Sequence, residues 1–171
     1  GVYDIVNVYA GTYNENVVVN KSTLTLQGES ASLVTVDGRS LGATITITAN
    51  DVNVRQLKVV GGAPGIYWLG ADYGYLENCE VTNNTIGVLV ESCINQTVQY
   101  NDVHSNAGDG IKALNSSLKD ITQNLCHGNG NDGIALYNST KITTWYNKSY
   151  ANSRYGIYVD STSHHSDIYL N

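Results

Sequence analysis

Two aspartates, Asp109 and Asp132, are the residues of this sequence whose type and spacing suggest chemistry. Each comes directly before a glycine, the two lie one repeat apart in the chain, and Asn131 precedes the second. In a solenoid built from that repeat, their carboxylates would lie about one strand spacing apart, where they repel each other and could bind Ca²⁺. Carboxylate pairs also cleave glycosidic bonds, but only proximity singles out this pair. Because Asp-Gly is also a common turn pair, we predict no catalytic residue and no metal site, with Asp109 and Asp132 as calcium candidates.

The histidines and cysteines give weaker signals. His104 and His127 occupy the same repeat position, so they either share a metal or are two exposed turn residues. Cys79, Cys93 and Cys126 match no zinc or redox spacing. An odd number of cysteines outside the cell leaves a thiol that is either buried or able to join another chain. We therefore predict no cofactor and keep the three cysteines as possible intermolecular thiols.

Asparagines in glycosylation sequons are a further candidate class of site. Asn115 and Asn138 share a repeat position, which would stack two glycans on one face. The alternative is an Asn- and Thr-rich repeat without glycans, and covalent glycans remain a possible partner. The six Asn-x-Ser/Thr sequons begin at Asn20, Asn83, Asn95, Asn115, Asn138 and Asn147.

Composition excludes several functions. The net charge is −6 with 14% charged residues, whereas nucleic-acid binding needs clustered Lys and Arg. No apolar run approaches the roughly 20 residues that span a bilayer. The chain has no Met and starts at Gly1, which predicts removal of a leader or an excised fragment. We expect an extracellular or cell-surface protein.

Repeated residues indicate the elements that carry these side chains. Columns spaced by about 23 residues predict a solenoid with one turn of structure per repeat. Stacked asparagines are expected to form a hydrogen-bonded ladder, and glycines to mark tight bends. The first asparagine column is Asn78, Asn101, Asn124, Asn147 and Asn171; the second is Asn83, Asn106, Asn129 and Asn152; the glycine column is Gly65, Gly87, Gly110, Gly133 and Gly156.

The first and third residues after each column glycine are apolar, which is the period of a β-strand. A second short strand, with Tyr75, Val98 and Ile121 at matching positions, precedes each residue of the first asparagine column. The fold class predicted is all-β, a single-stranded parallel β-helix of about seven to eight coils. Residues 1–171 form one domain, with looser coils over 1–63 and regular repeats over 64–171. In the looser part we predict strands at 5–9, 16–19, 23–26, 33–36, 43–48, 52–55 and 56–60.

Two stretches make the sequence resemble known families. Residues 8–17 (Val-Tyr-Ala-Gly-Thr-Tyr-Asn-Glu-Asn-Val) and 21–28 are similar to the opening of pectin-lyase-like right-handed β-helix domains. The later Gly-Ile-x-Leu, Asn-Ser-Ser/Thr and Ile-Thr-x-x-x-Asn segments resemble NosD-like repeats of surface proteins from methanogenic archaea. The resemblance implies a right-handed coil. Its catalytic members use clustered Asp with Arg, Lys or Ca²⁺, and the pectinesterase and lyase motifs have no match here.

The ends of the predicted solenoid suggest a function. A strand begins near Gly1 and a column asparagine is the last residue, Asn171, so the sequence predicts no capping helix or loop. We expect Gly1-Val2-Tyr3-Asp4 of one molecule to continue from Asn171 of another, giving a head-to-tail homopolymer. It would be an extracellular structural protein of a cell-surface sheath or filament, as the resemblance to amyloid-like archaeal sheath proteins also implies. Caps lost from a fragment are the competing explanation. The other functions are a polysaccharide-processing enzyme and a glycan-binding module that uses some of the thirteen tyrosines.

Overall fold

A computed structural model of the chain describes residues 3–171, which form 22 short β-strands and, within that range, no helix. The strands belong to three parallel sheets. Sheet A contains β1 (Asp4–Val8), β4 (Leu24–Gly28), β7 (Val52–Arg55), β10 (Tyr75–Glu77), β13 (Thr97–Gln99), β16 (Asp120–Thr122), β19 (Thr143–Trp145) and β22 (Asp167–Tyr169). Sheet B contains β2 (Gly11–Tyr13), β5 (Val34–Asp37), β8 (Lys58–Val60), β11 (Glu80–Thr82), β14 (Asp102–His104), β17 (Leu125–His127) and β20 (Lys148–Tyr150). Sheet C contains β3 (Val17–Val19), β6 (Ile45–Ile47), β9 (Ile66–Leu69), β12 (Val88–Glu91), β15 (Ile111–Leu114), β18 (Ile134–Tyr137) and β21 (Ile157–Val159).

Each strand pairs with the strand three places along the chain, so the polypeptide visits sheets A, B and C in turn and climbs one level per circuit. In the regular part, successive levels lie one repeat apart: Asp102 pairs with Leu125, which pairs with Lys148. This confirms the predicted parallel β-helix. In the residues described, no helix is long and apolar enough to cross a membrane.

The core is a stack of inward-facing side chains from the three sheets. On sheet C, Ile66, Val88, Ile111 and Ile134 lie directly above one another and are fully buried. The alternation of strand side chains places their neighbours, such as Lys112, on the outer face. Burial of each large aliphatic side chain contributes about 1.5–3 kcal/mol, so the core columns supply the main force that stacks the coils.

The front of the chain departs from the predicted strand positions. The predicted strands do not include β2, Gly11–Tyr13, which lies between the predicted strands 5–9 and 16–19. Coil length also varies there, because Asp4 pairs with Leu24, which in turn pairs with Val52.

In the part of the chain that precedes Val88, the predicted columns are displaced by one residue from the observed ones. Leu76, not Tyr75, pairs with Val98 and faces the core, while Tyr75 is exposed. The cause is the corner between sheets B and C: it runs from Asn84 to Gly87 in this coil, and from Asn106 to Gly110 in the next. The corner has one residue fewer in this coil, which is therefore one residue shorter than the constant period assumed in the prediction.

Candidate functional site

The first asparagine ladder lies at the corner between sheets A and B. The backbone N–H and the side-chain amide of Asn101 both donate to Oδ1 of Asn124, at 3.1 and 3.0 Å. Asn124 donates in the same way to Asn147, and Asn147 to Asn171. Each amide also donates to a strand carbonyl one coil back; Asn124 Nδ2 lies 2.9 Å from the oxygen of Val98. The ladder thus satisfies buried polar groups along the corner.

The second ladder, between sheets B and C, repeats this pattern with Asn84, Asn106, Asn129 and Asn152. The glycine column packs against it. A Cβ on Gly110 would stand 2.6 Å from the carbonyl oxygen of Gly133 and 2.8 Å from Nδ2 of Asn129. None of the five has a positive φ. Close approach therefore requires the first four of these glycines, whereas a Cβ on Gly156 would lie 3.5 Å from its nearest neighbours.

Asn78 and Asn83 are corrections to the predicted columns. Both are exposed and adopt left-handed backbone conformations, with φ of 55° and 56°. The ladder position is the next residue, Cys79 or Asn84, because the short corner shifts the register by one. Left-handed residues also precede the ladder members Asn101 and Asn124, namely Tyr100 and Gln123. The corner therefore consists of a left-handed residue followed by a ladder residue, and the ladder asparagines do not themselves make the bend.

A third ladder, made of serines, was missed by the sequence analysis. It lies at the end of the sheet C strands, where Ser116 N donates to Ser139 Oγ at 3.2 Å and Ser139 N donates to Ser163 Oγ at 3.0 Å. The hydroxyls donate in turn to carbonyls such as that of Tyr137. The spacing of these serines, 23 and 24 residues, is the signal for this ladder, but Ser116 and Ser139 are also the middle residues of two sequons, which obscures it.

The cysteines end two of these ladders and fill the core. Cys79 occupies the position of the first ladder one coil before Asn101, whose Oδ1 accepts a hydrogen bond from Cys79 N at 3.0 Å. In the same way, Cys93 precedes Ser116 in the serine ladder, and Cys93 N donates to Ser116 Oγ. Cys126 lies inside the solenoid, and all three are buried, free thiols. Burial raises the pKa of Cys79 to about 12 and also raises the pKa values of Cys93 and Cys126. Buried thiols of this kind cannot reach another chain, so of the two alternatives for these cysteines the structure favours buried thiols over intermolecular ones.

The predicted acidic pair is buried at the corner between sheets B and C. Asp109 and Asp132 are 4% and 0% exposed. Asp109 Oδ1 accepts from Asn131 Nδ2 at 2.5 Å and from Asp132 N at 3.2 Å. Asp132 Oδ1 accepts from Tyr155 N at 3.0 Å. Each carboxylate thus holds the backbone of the next coil, and neither is available as an exposed acid or base.

Two cations neutralise the pair from outside. Lys112 Nζ lies 3.7 Å from Asp109 Oδ2, and Arg154 Nη1 lies 3.8 Å from Asp132 Oδ2. Arg154 lies one repeat after Asn131 and donates to its Oδ1 at 3.1 Å, a spacing that signals its position beside Asp132 and that the sequence prediction did not include. Burial, with the charges of the two aspartates, raises the pKa of the nearby Tyr137. This ion-paired arrangement favours a structural role over the predicted Ca²⁺ candidate, because the cations already balance both carboxylates.

The histidines stack but do not converge on one metal. The rings of His104 and His127 are 4.9 Å apart and inclined by 11°. Their Nε2 atoms face different carboxylates, Glu80 at 3.5 Å and Asp102 at 3.1 Å. Among residues 3–171, no three His, Cys, Asp or Glu side chains are grouped to hold a metal ion.

The sequons divide by exposure. Asn147 is 3% exposed and its amide donates to Ile121 O and Asn171 Oδ1, so the folded ladder leaves no room for a glycan there. Asn115 and Asn138 are adjacent on the surface, and Asn138 Nδ2 donates to Asn115 Oδ1 at 2.8 Å. The exposed sequon asparagines are Asn20, Asn83, Asn95, Asn115 and Asn138.

One core column runs through the whole solenoid and is covered everywhere except at its two ends. Its members from Val54 to Thr144 are fully buried, whereas Val6 is 46% exposed and Ile168 is 43% exposed. Sheet A accordingly begins with β1 and ends with β22, each paired on one side only within the described range. The column is Val6, Leu26, Val54, Leu76, Val98, Ile121, Thr144 and Ile168.

Comparison with known proteins agrees with this geometry. A family model described as "right handed beta helix region" matches residues 6–171. Among solved structures, the chain is similar to the catalytic domain of a GH87 alpha-1,3-glucanase (TM-score 0.75, 18% identity, 90% of this chain and 32% of that one). It is also similar to the A-module of Azotobacter vinelandii mannuronan C-5 epimerase (TM-score 0.64, 15% identity, 96% and 67%) and to pectin methylesterase of Yersinia enterocolitica (TM-score 0.64, 9% identity, 97% and 77%). At these identities the likeness concerns the fold alone.

One curated relative is similar in sequence. It is a cell surface glycoprotein of Methanothermus fervidus, 40% identical over 86 residues, which is 48% of this chain. The aligned part spans only 13% of that protein's length.

Proposed function

This chain belongs to the family of right-handed β-helix regions, and we propose that it is an extracellular structural protein that joins head to tail into a cell-surface sheath or filament. The observation that carries the proposal is the core column from Val6 to Ile168. Its two half-exposed ends belong to the same column, so a second copy stacked in register brings apolar side chains together and buries them. Completing the column in this way is the driving force proposed for assembly.

Strand direction supports a head-to-tail contact. All three sheets are parallel, so the edge formed by β1 and the edge formed by β22 are different surfaces. Their contact is heterologous, so repeating it generates a fibre, or a large ring where the rotation between copies closes. Asn171 ends the first ladder at the β22 edge, where a ladder residue of a second copy would extend the hydrogen-bonded row. Gly1 and Val2, which the sequence analysis placed at the junction, lie outside the described residues.

The similarity to a cell surface glycoprotein supports the location. The alignment with that protein covers about half of this chain, at 40% identity. Exposed sequons such as Asn115 and Asn138 are consistent with covalent glycans on the outer face. We therefore include glycosylation and surface location in the proposal.

Assembly is tested on the purified 171-residue chain by size-exclusion chromatography and negative-stain electron microscopy. We expect particles that elongate with concentration. Val6→Lys places a charge at the half-exposed end of the column and should leave monomers of 18.5 kDa. Ile94→Lys is the matched control, because Ile94 is 51% exposed at a corner in the middle of the solenoid. Wild-type chain that stays monomeric at every concentration would refute head-to-tail joining of copies.

We further infer that the chain is not an enzyme, although its structural neighbours act on polysaccharides. The acidic pair, Asp109 and Asp132, is buried and committed to backbone N–H groups. A general acid or base must reach the substrate. Release of reducing ends from polygalacturonate or glucans, abolished by Asp132→Ala, would contradict this inference.

A further inference from the structure

Two exposed tyrosines stand at the corner between sheets A and B in a conformation that disfavours them. Tyr100 and Tyr146 have φ of 56° and 53°, in the left-handed region. Their side chains are exposed, at 49% and 51% for the two residues. Gln123, one coil from each, has the same backbone conformation and separates them.

The side chains of Tyr100 and Tyr146 are exposed, so no packing in the core offsets the cost of their left-handed backbone. A bulky residue with positive φ is an outlier, and Asn or Gly fills this corner position at a lower cost. Asn78 does so one coil before Tyr100. Left-handed residues recur at the corners throughout this fold, so the conformation itself belongs to the architecture. What distinguishes Tyr100 and Tyr146 is a large exposed ring at each of two positions in one column, and these rings call for a role.

The two rings border an open groove of about 560 Å³ across the corner. They lie two coils apart, which is roughly 10 Å at the strand spacing. Between them the surface carries the amide of Gln123 and the ammonium group of Lys148, whereas the amide of Asn124 is committed to the buried ladder. The lining residues are Tyr100, Gln123, Asn124, Leu125, Tyr146 and Lys148.

One of the rings is held in place. The ring of Tyr146 packs against Trp145 with centroids 4.8 Å apart, and Trp145 stacks on Tyr169 at 6.0 Å. A ring supported from behind presents a fixed face to the groove, which lowers the entropy lost on binding. Tyr146 is thus a preorganised platform.

We propose that this groove binds an extended, neutral polysaccharide chain, with sugar rings stacked on Tyr100 and Tyr146. Sugar rings have an apolar C–H face that suits an aromatic face, while their hydroxyls can bond to the amide of Gln123 and the ammonium group of Lys148. A protein partner would favour a contiguous apolar patch at the centre of its interface, and here Gln123 interrupts the aromatic surface. The net charge of −6 disfavours polyanions.

Tryptophan fluorescence provides the test, because one of the two tryptophans lies beside the groove. Trp145 contacts Tyr146, whereas Trp68 is 1% exposed in the core. The chain is titrated with hydroxyethylcellulose, laminarin and dextran, and with polygalacturonate for comparison. The variants are Tyr100→Asn and Tyr146→Asn, which suit a left-handed backbone and so preserve folding. Tyr73→Asn is the matched control, since Tyr73 is 51% exposed with φ of 62° at another corner.

We expect at least one neutral polysaccharide to change the emission, with affinity at least about fivefold weaker in each groove variant and unchanged in the control. No response to the three neutral polymers, an equal response in the groove variants, or a response to polygalacturonate alone would overturn the proposal. Repeating the titration with Val6→Lys, whose groove is intact, separates failure to bind from failure to assemble.

Discussion

The side-chain amide of Asn129 occupies the space that a Cβ on Gly110 would fill, with Nδ2 2.8 Å from that point. Gly87 has the same relation to Asn106, and Gly133 to Asn152. A glycine of one coil and an asparagine of the next are therefore a single packing unit, which explains why both residues repeat with the same period.

This unit predicts that Gly110→Ala destabilises the fold by about 1–3 kcal/mol, because the new methyl group meets the fixed carbonyl of Gly133 as well as the amide. Gly156→Ala is the control in the same column, since its nearest neighbours would be 3.5 Å away, and it should change stability by less than about 0.5 kcal/mol. Urea unfolding of the monomeric fraction measures both. Equal effects would mean that the column does not depend on close approach.

A second prediction separates ladder asparagines from corner asparagines. Asn124→Gly removes a buried amide and leaves the N–H of Asn101 without its acceptor, so we expect a loss of roughly 3–5 kcal/mol. Asn78→Gly, the same substitution at an exposed left-handed position, should cost less than about 0.5 kcal/mol because glycine favours that backbone. Thermal unfolding compares the two variants. A large loss of stability in Asn78→Gly would mean that Asn78 is a ladder residue.

Cys79, the cysteine that ends the first ladder, should tolerate substitution by asparagine. The sulfur of Cys79 lies 3.9 Å from Val54 O and 3.4 Å from Glu77 O, the two carbonyls that a ladder amide would use. Cys79→Asn should therefore keep or raise stability by up to about 1 kcal/mol. Cys126→Asn, which buries an amide inside the core, should destabilise by about 3 kcal/mol or more. If both variants behave alike in urea unfolding, the ladder assignment of Cys79 is wrong.

Alkaline pH should weaken the fold through the same thiol. Burial raises the pKa of Cys79 from 9.0 to about 12, so below pH 9 the thiol is protonated in both states and its contribution to stability is complete. Between pH 9 and 12 the unfolded chain releases the proton while the folded chain retains it. Stability then falls with rising pH, by at most about 1.4 kcal/mol per pH unit from this group. Urea unfolding at about pH 8 and pH 10 measures the slope, which should decrease in Cys79→Ala.

Glycan occupancy should follow exposure. In a host that glycosylates folded surface sequons, we expect modification at Asn115 or Asn138 and none at Asn147, whose amide is buried in the ladder. Peptide mass spectrometry gives the occupancy of each site. A glycan on Asn147 in folded protein would contradict the ladder geometry at that coil.

The fold could be predicted because strand alternation and a nearly fixed period can both be recognised in the sequence without tertiary information. The period failed where one residue is missing, in the corner from Asn84 to Gly87. A column count carries that error back to Asn83, Asn78 and Tyr75, all of which are off by one. Aligning Asn-Cys at 78–79 with Tyr-Asn at 100–101 would have revealed the shift.

The candidate sites were less predictable, since their contacts depend on the direction of each side chain as well as on its column. Arg154 lies in the column of Asn131, yet its guanidinium also approaches the carboxylate of Asp132 at the next position. Tyr100 and Tyr146 share a repeat position, but the sequence does not show that their rings are exposed or that their backbone is left-handed.

The variable corner between sheets B and C has an evolutionary consequence. Asp109 and Asp132 exist only in coils that carry the additional residue after the ladder asparagine, whereas the ladders and the core continue through coils with and without it. Insertions at this corner can therefore add new side chains to one flank without cost to the stack. We expect diversification among related solenoids to add side chains there, coil by coil, while the ladders and the core keep their positions.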